Sequence, residues 1–252
     1  MTARQVTAAA SVVLAPNPGP MTLEGTNTWV LRAPGTERCV VVDPGPLHEG
    51  HLAAVAECGP VDVVLLTHGH PDHSEGAARF AELTGARVRA LDAAHRLGDE
   101  GLAEGDVVRG GGLEVRVLHT PGHSSDSLSF VVDADGAVLT GDTVLGRGTT
   151  VVAHPDGVLA DYLESLRRLQ DLGDLAVLPG HGPELPSAGE AAAYYLAHRE
   201  GRLEQVRAAV EAGATTPRGV VEVVYADVDP VLWPAAELSV RAQLAYLEAE
   251  DP

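Results

Sequence analysis

Seven consecutive residues constrain this chain more than any other feature: THGHPDH, from Thr67 to His73. They follow an apolar run, VDVVLL, and precede a helical pattern, SEGAARFAELT. His68, His70, Asp72 and His73 therefore sit on a loop at the C-terminal end of a buried strand. That is where α/β proteins gather their functional side chains. Three imidazoles and a carboxylate in six positions make a poor structural loop, because without a cation they compete for few partners. A divalent metal ion resolves the competition, taking deprotonated nitrogen and oxygen ligands at about 2.0–2.2 Å. Chance assembly of an H-x-H-x-D-H run has a probability on the order of one in a thousand. The bland alternative is a solvated His-rich loop.

The remaining pattern gives that loop a frame. Residues 28–32 and 39–43 read as strands across a turn at Pro34-Gly35, and residues 51–57 read as a short helix. A buried strand is expected over 61–67, then a helix over 74–84 with Ser74 as its N-cap. Residues 113–119 alternate as a half-exposed strand, and 127–133 with 137–142 form a hairpin turned at 134–136. A helix over 161–172 and a strand over 175–180 follow. From residue 187 onward the pattern is helical: 187–213, then from Thr216-Pro217 to Tyr225, then 230–250. Strands mixed with helices, followed by helices alone, predict an α/β or α+β domain with a helical tail.

One loop cannot fill a dinuclear site, so further ligands are expected at other strand ends. Three candidates stand there: His123 in TPGHSSDS, Asp142 in TGD and His181 in PGHGP. Each lies at or just past the end of an expected strand, beside a glycine that permits a sharp turn. Singly each is weak; together, and in this order, they point to ligation.

These residues resemble the metallo-β-lactamase superfamily. The resemblance implies an αββα sandwich with two metal ions between the sheet edges. It places His68, His70 and His123 on one ion, Asp72, His73 and His181 on the other, and Asp142 between them with a bridging hydroxide. A narrower likeness runs through NPGPMTLEGTNTWV (17–30), TPGHSSDSLSF (120–130), GDTVLGRGTT (141–150), LPGHGP (178–183) and AHRE (197–200). These segments are similar to the β-lactamase-like protein 2 group. That group implies a metallohydrolase domain over 1–213 and a small winged-helix-like domain over 214–252. The strands of a wing look missing or truncated after the last helix. The group also implies Thr26 and Asn27 as contacts near the metals and Gly146–Thr150 as a lip of the site. Members include a single-strand-specific endoribonuclease and fungal thioesterases acting on a carrier protein.

Composition chooses among these activities. The chain has 17 basic side chains, all arginine, against 36 acidic ones, a net charge of −19. The absence of lysine excludes Schiff-base chemistry and a P-loop lysine. A surface this acidic repels polyanions, which disfavours RNA and anionic membranes. The two ions and two carboxylates, by contrast, form a locally electropositive site suited to a carbonyl or phosphate that becomes an oxyanion.

The expected activity is therefore a dinuclear metal-dependent hydrolase using a metal-bridging hydroxide on an acyl, thioester-like or phosphodiester substrate. Two divalent ions, zinc by default, serve as cofactors. Asp72 is the expected catalytic residue, orienting the nucleophile. Single-stranded RNA cleavage is the alternative in the closest group. A mononuclear iron persulfide dioxygenase is the alternative from another reaction class.

Among the remaining histidines, His119 reads as an ordinary strand-end residue, and His48, His51, His95 and His154 read as surface. His198-Arg199 and the Tyr194-Tyr195 pair read as helix packing. Cys39 and Cys58 make no disulfide framework and fit a reducing, cytoplasmic compartment as buried thiols. No apolar run is long enough to span a bilayer. Pro16 and Pro18 interrupt the first apolar stretch, so it does not read as a secretory signal.

Overall fold

The computed structural model of the chain describes residues 2–250. Two sheets face each other. The first runs β1 (Arg4–Gln5), β2 (Ala10–Leu14), β3 (Asn27–Leu31), β4 (Cys39–Val42), β5 (Val61–Leu65) and β6 (Arg87–Arg89). Its first four strands are antiparallel, while β4, β5 and β6 are parallel. The second has the order β11, β10, β9, β8, β7, from Ala176–Pro179, Ala137–Gly141, Leu128–Val132, Leu113–His119 and Val107–Gly110. Only the β10–β11 pair in it is parallel.

Side chains alternate along each strand, and that builds two kinds of core. In β4, Val40 and Val42 point between the sheets, where they meet Leu65, Leu128 and Phe130. Cys39 and Val41 point outward to Leu52, Val55 and Phe80 on α1 (Glu49–Ala56) and α3 (Ala77–Thr84). Both faces of CVVV are covered, which is why its sequence lacks a polar alternate. The second sheet turns Val131 and Val138 outward onto α4 (Leu159–Gln170) and α5 (Ala188–Glu211), where Tyr162 and Tyr195 are fully enclosed. The result is the expected α/β sandwich of two sheets between helical layers.

The expected single helix over 74–84 is broken. A short turn of helix, α2 (Pro71–Ser74), ends at Glu75, and α3 starts after Gly76. Ser74 does not cap α3; its hydroxyl bonds back to the Gly69 and His70 carbonyls. The break follows from packing at Gly76, whose N–H donates to the Gly45 carbonyl. A Cβ there would lie 2.9 Å from that oxygen. Strands β1, β2, β6 and β7 had no clear signal in the sequence.

The C-terminal half of α5 joins α6 (Pro217–Val224) and α7 (Trp233–Glu250) around Val206, Val220, Val221 and Val240. Thr216 caps α6 and Pro217 occupies its first position, as the sequence predicts. Among the described residues no strand follows β11, so the tail contributes helices without a wing. Both cysteines are free; Cys39 is buried and Cys58 half-buried rather than fully enclosed. Among the described residues, no helix is long and apolar enough to cross a membrane.

Candidate metal centre

The structure brings all seven candidate residues to the same edge of the sandwich. His68 and His70 come from the loop after β5, Asp72 and His73 from α2, and His123 from the loop after β8. Asp142 follows β10, and His181 follows β11. His70 Nδ1 lies 3.0 Å from His68 Nε2 and 3.0 Å from His123 Nε2. Asp72 Oδ2 lies 3.3 Å from His73 Nε2 and 3.1 Å from His181 Nε2, and those two nitrogens are 3.2 Å apart. Three ligands at about 2.0–2.1 Å from one tetrahedral ion stand roughly 3.3 Å apart, so both triads have a suitable spacing. Asp142 lies between them, with Oδ1 3.4 Å from His73 Nε2, and Oδ2 3.4 Å from His181 Nε2 and 3.8 Å from His123 Nε2.

The outer partners of the imidazoles fix their protons. His123 Nδ1 lies 2.8 Å from the Val151 carbonyl and His181 Nδ1 3.1 Å from the Gly25 carbonyl. A carbonyl only accepts, so both Nδ1 atoms carry hydrogen and both Nε2 atoms present lone pairs inward. Thr67 Oγ1 donates its one hydrogen to Asp43 Oδ2 at 2.7 Å, so at 3.0 Å it accepts from His68 Nδ1. Asp43 Oδ2 also accepts from His73 Nδ1 at 2.8 Å. With the rings neutral, four bare Nε2 atoms and two carboxylates thus converge with no donor among the described residues to satisfy them all. Asp142 Oδ1 is buried with no hydrogen-bond partner. A donor set of this kind fits divalent cations.

The electrostatics agree. Burial holds His68 well below its ordinary pKa. At His73 burial acts the same way, but Asp142 and then Asp43 outweigh it and raise the group well above the ordinary value. His181 is likewise opposed by burial yet pushed up to about 9, chiefly by Asp142. Asp72 and Asp142 stay ionised against the cost of burial, held down by His181 and His73. The carboxylate field that draws protons onto His73 and His181 is one that a cation would occupy in their place.

Several supporting groups were not legible in the sequence. Asp43 is buried and holds three hydrogen bonds, to the Thr67 amide and hydroxyl and to His73. Its signal was its position as the last letter of CVVVD, on the strand running parallel to β5. It adopts φ +52°, a left-handed conformation that Asp tolerates better than most residues. Thr150, within the expected lip, adds a contact the sequence did not specify: its Oγ1 lies 3.1 Å from His123 Nδ1. Gly180 lets the edges close: a Cβ there would sit 2.5 Å from Asp142 Oδ1 and 2.7 Å from His73 Cε1.

The residues expected nearby have defined places. Thr26 Oγ1 donates to Asp72 Oδ2 at 3.3 Å. Asn27 Nδ2 donates to the Pro179 and Gly182 carbonyls, fixing the loop that carries His181. Gly148, Thr149 and Thr150 line a cavity of about 330 Å³ that opens on His123 and Asp142. Its far wall comes from the tail, through Tyr225, Val228 and Leu232. His198 and Arg199 also line it, so the expectation of helix packing alone falls short. His119 bonds the Ser125 carbonyl at 3.1 Å, an ordinary strand-end role.

Of the four surface histidines expected, only His154 fits without qualification. His48 is exposed but caps α1. His95 is half-buried beside Gly69, and His51 is completely buried against Thr28 Oγ1 at 2.9 Å. In the tyrosine pair, Tyr195 is core and Tyr194 is 62% exposed.

Residues 21–181 match the family described as Metallo-beta-lactamase superfamily, and residues 216–251 match the Beta-lactamase associated winged helix domain. A Beta-lactamase-like protein 2 homolog of Drosophila melanogaster is 32% identical over 94% of this chain and 87% of its own length. An Atrochrysone carboxyl ACP thioesterase of Aspergillus fumigatus is 36% identical over 79% of this chain, which spans 64% of that protein. The crystal structure of a Beta-lactamase domain protein from Burkholderia ambifaria superposes with a TM-score of 0.84 at 25% identity. That superposition covers 99% of this chain and 88% of the other.

Proposed function

The chain belongs to the metallo-β-lactamase superfamily, and from that membership and the seven-residue centre we propose a dinuclear metal-dependent hydrolase of acyl, thioester-like substrates. The convergence of four bare imidazole nitrogens with Asp72 and Asp142 carries the reading. In it His68, His70 and His123 would hold one ion and Asp72, His73 and His181 the other, with Asp142 available to both. Zinc suits this nitrogen and oxygen set, although iron and manganese compete for it. When bound, such a pair ionises water near neutral pH and polarises the substrate oxygen.

The protein's own groups do the rest. Asp43, Thr67, Val151 and Gly25 hold the outer imidazole protons, keeping the inner nitrogens available. Thr26 fixes one oxygen of Asp72, and the side chain keeps 26% exposure. Asp72 is thereby placed to orient the attacking water and to take up its proton when the acyl bond breaks. The 330 Å³ cavity, walled by Met21, Leu23, Val228 and Leu232, would hold an apolar acyl body and exclude water from it. We divide the chain into a catalytic unit over 1–213 and a winged-helix-like unit over 214–252 that closes this cavity. With two free thiols, the cytoplasm is the proposed compartment.

The thioesterase named among the relatives supports the acyl reading, as does the net charge of −19, which opposes a polyanionic substrate. The test is a panel on the zinc-loaded full chain: acyl thioesters, lactones, a cephalosporin and single-stranded RNA, with metal analysis of the same sample. Chelator-sensitive thioester cleavage well above the others is expected. Cleavage of RNA alone, falling steeply with salt, would replace the acyl reading with an endoribonuclease.

A further inference from the structure

Arginine in this chain is usually neutralised. Of 17 arginines, 12 form ion pairs with carboxylates among the described residues. Arg32 and Arg96, outside that set, are turned to backbone carbonyls. Arg199 and Arg202 are also outside it, and both line the cavity beside the metal centre. Acids outnumber arginines about two to one, yet among the described residues the one carboxylate lining this cavity is Asp142, which faces the imidazoles.

The two guanidinium groups are held in place but not used up. Arg199 is 3% exposed, lies 5.1 Å over the Tyr162 ring and donates through Nη2 to the Thr150 carbonyl. Its Nε is buried with no acceptor. Arg202 stacks 4.5 Å over Tyr225 and spends Nη1 on the Val224 carbonyl and Gln205. His198 Nδ1 beside them is also buried and unpartnered, and burial, then both arginines, lower the pKa of that ring. A buried guanidinium without a counter-charge is costly, and the stacked rings offset only part of that. An incoming anion would complete the arrangement. Met21, Leu23, Val228 and Leu232 line the same cavity, so an anion reaching both the arginines and the metal centre would carry an apolar body.

We propose that Arg199 and Arg202 form an anion clamp in the substrate cavity, selecting acyl substrates that carry, on an apolar body, a second carboxylate besides the cleaved bond. The proposal rests on the acyl-hydrolase reading above, and its test separates the two. The probes are the N-acetylcysteamine thioester of adipic acid and the same thioester with the far carboxyl methylated. Their amide isosteres, which bind without turnover, are titrated calorimetrically into the zinc-loaded full chain.

In the wild type the free acid should exceed its methyl ester by about tenfold to a hundredfold, both in kcat/KM and in affinity of the isosteres. Arg202→Gln should bring both ratios below threefold through KM for the acid, and Arg202→Lys, which keeps the cation, should retain more of them. A wild-type ratio below threefold, an undiminished ratio in Arg202→Gln, or a lysine variant no better than glutamine overturns the clamp. If neither thioester is cleaved, the acyl-hydrolase reading fails while the calorimetric ratio still decides the clamp.

Discussion

Replacing Asp43 with Asn should weaken one metal ion selectively, although Asp43 is not among the candidate ligands. Asp43 accepts three hydrogen bonds, at 2.8 Å from the Thr67 amide, 2.7 Å from the Thr67 hydroxyl and 2.8 Å from His73 Nδ1. Asn has the same shape and tolerates the same left-handed backbone, but offers one acceptor oxygen instead of two. If its NH₂ faces the Thr67 amide, two donors collide and neither can adapt. The NH₂ therefore faces His73 and Thr67 Oγ1, which can adapt. His73 then accepts at Nδ1, and its proton moves to Nε2, the atom aimed at the second triad. The nitrogen meant for the ion is blocked.

Loss of a carboxylate behind a ligating imidazole costs about ten- to a hundredfold in metal affinity, or roughly 1.4–2.7 kcal/mol. The assay is zinc titration against a chelating indicator, resolving two dissociation constants for wild type and Asp43→Asn. Only the weaker or second-triad site should move, by that factor, with the apo protein still folded by circular dichroism. Two constants within threefold of wild type would refute the tautomer argument.

Other consequences are simpler to state. Asp72→Asn should lower turnover by about a hundredfold to ten-thousandfold while much of the metal is retained; near-normal turnover would remove its proposed role. Gly180→Ala should cost at least one equivalent of metal by elemental analysis, because its Cβ would lie within 2.7 Å of both Asp142 and His73. Burial depresses His51 to about 4, below its unfolded value near 6.5. Its neutral form therefore stabilises the fold above pH 6.5, and that contribution is lost as pH falls toward 4. Between pH 7 and pH 5 this amounts to roughly 2 kcal/mol, and denaturant melts of wild type and His51→Leu should differ in pH slope by that amount.

What was legible in the sequence follows from how local each signal is. The THGHPDH run and the strand before it are contiguous, so periodicity and residue type located them directly. His123, Asp142 and His181 were legible as candidates because each follows a strand pattern beside glycine. Asp43 was not, since its role exists only once parallel pairing sets the end of β4 beside the end of β5. The break at Gly76 was hidden for the same reason: the carbonyl of Gly45 that causes it is 31 positions away. His51 misled because a short helix does not declare which face is covered. Arg199 and Arg202 stand three apart and so lie roughly on one helix face, a local basic stripe in the sequence, and only the fold turns them toward the cavity.

The most direct test is diffraction from zinc-soaked crystals of the full chain, recorded on both sides of the zinc absorption edge. Two anomalous peaks about 3.5–4 Å apart are expected, one contacting His68, His70 and His123 and the other Asp72, His73 and His181, with Asp142 touching both. A single peak, or none within reach of these side chains, would contradict the account.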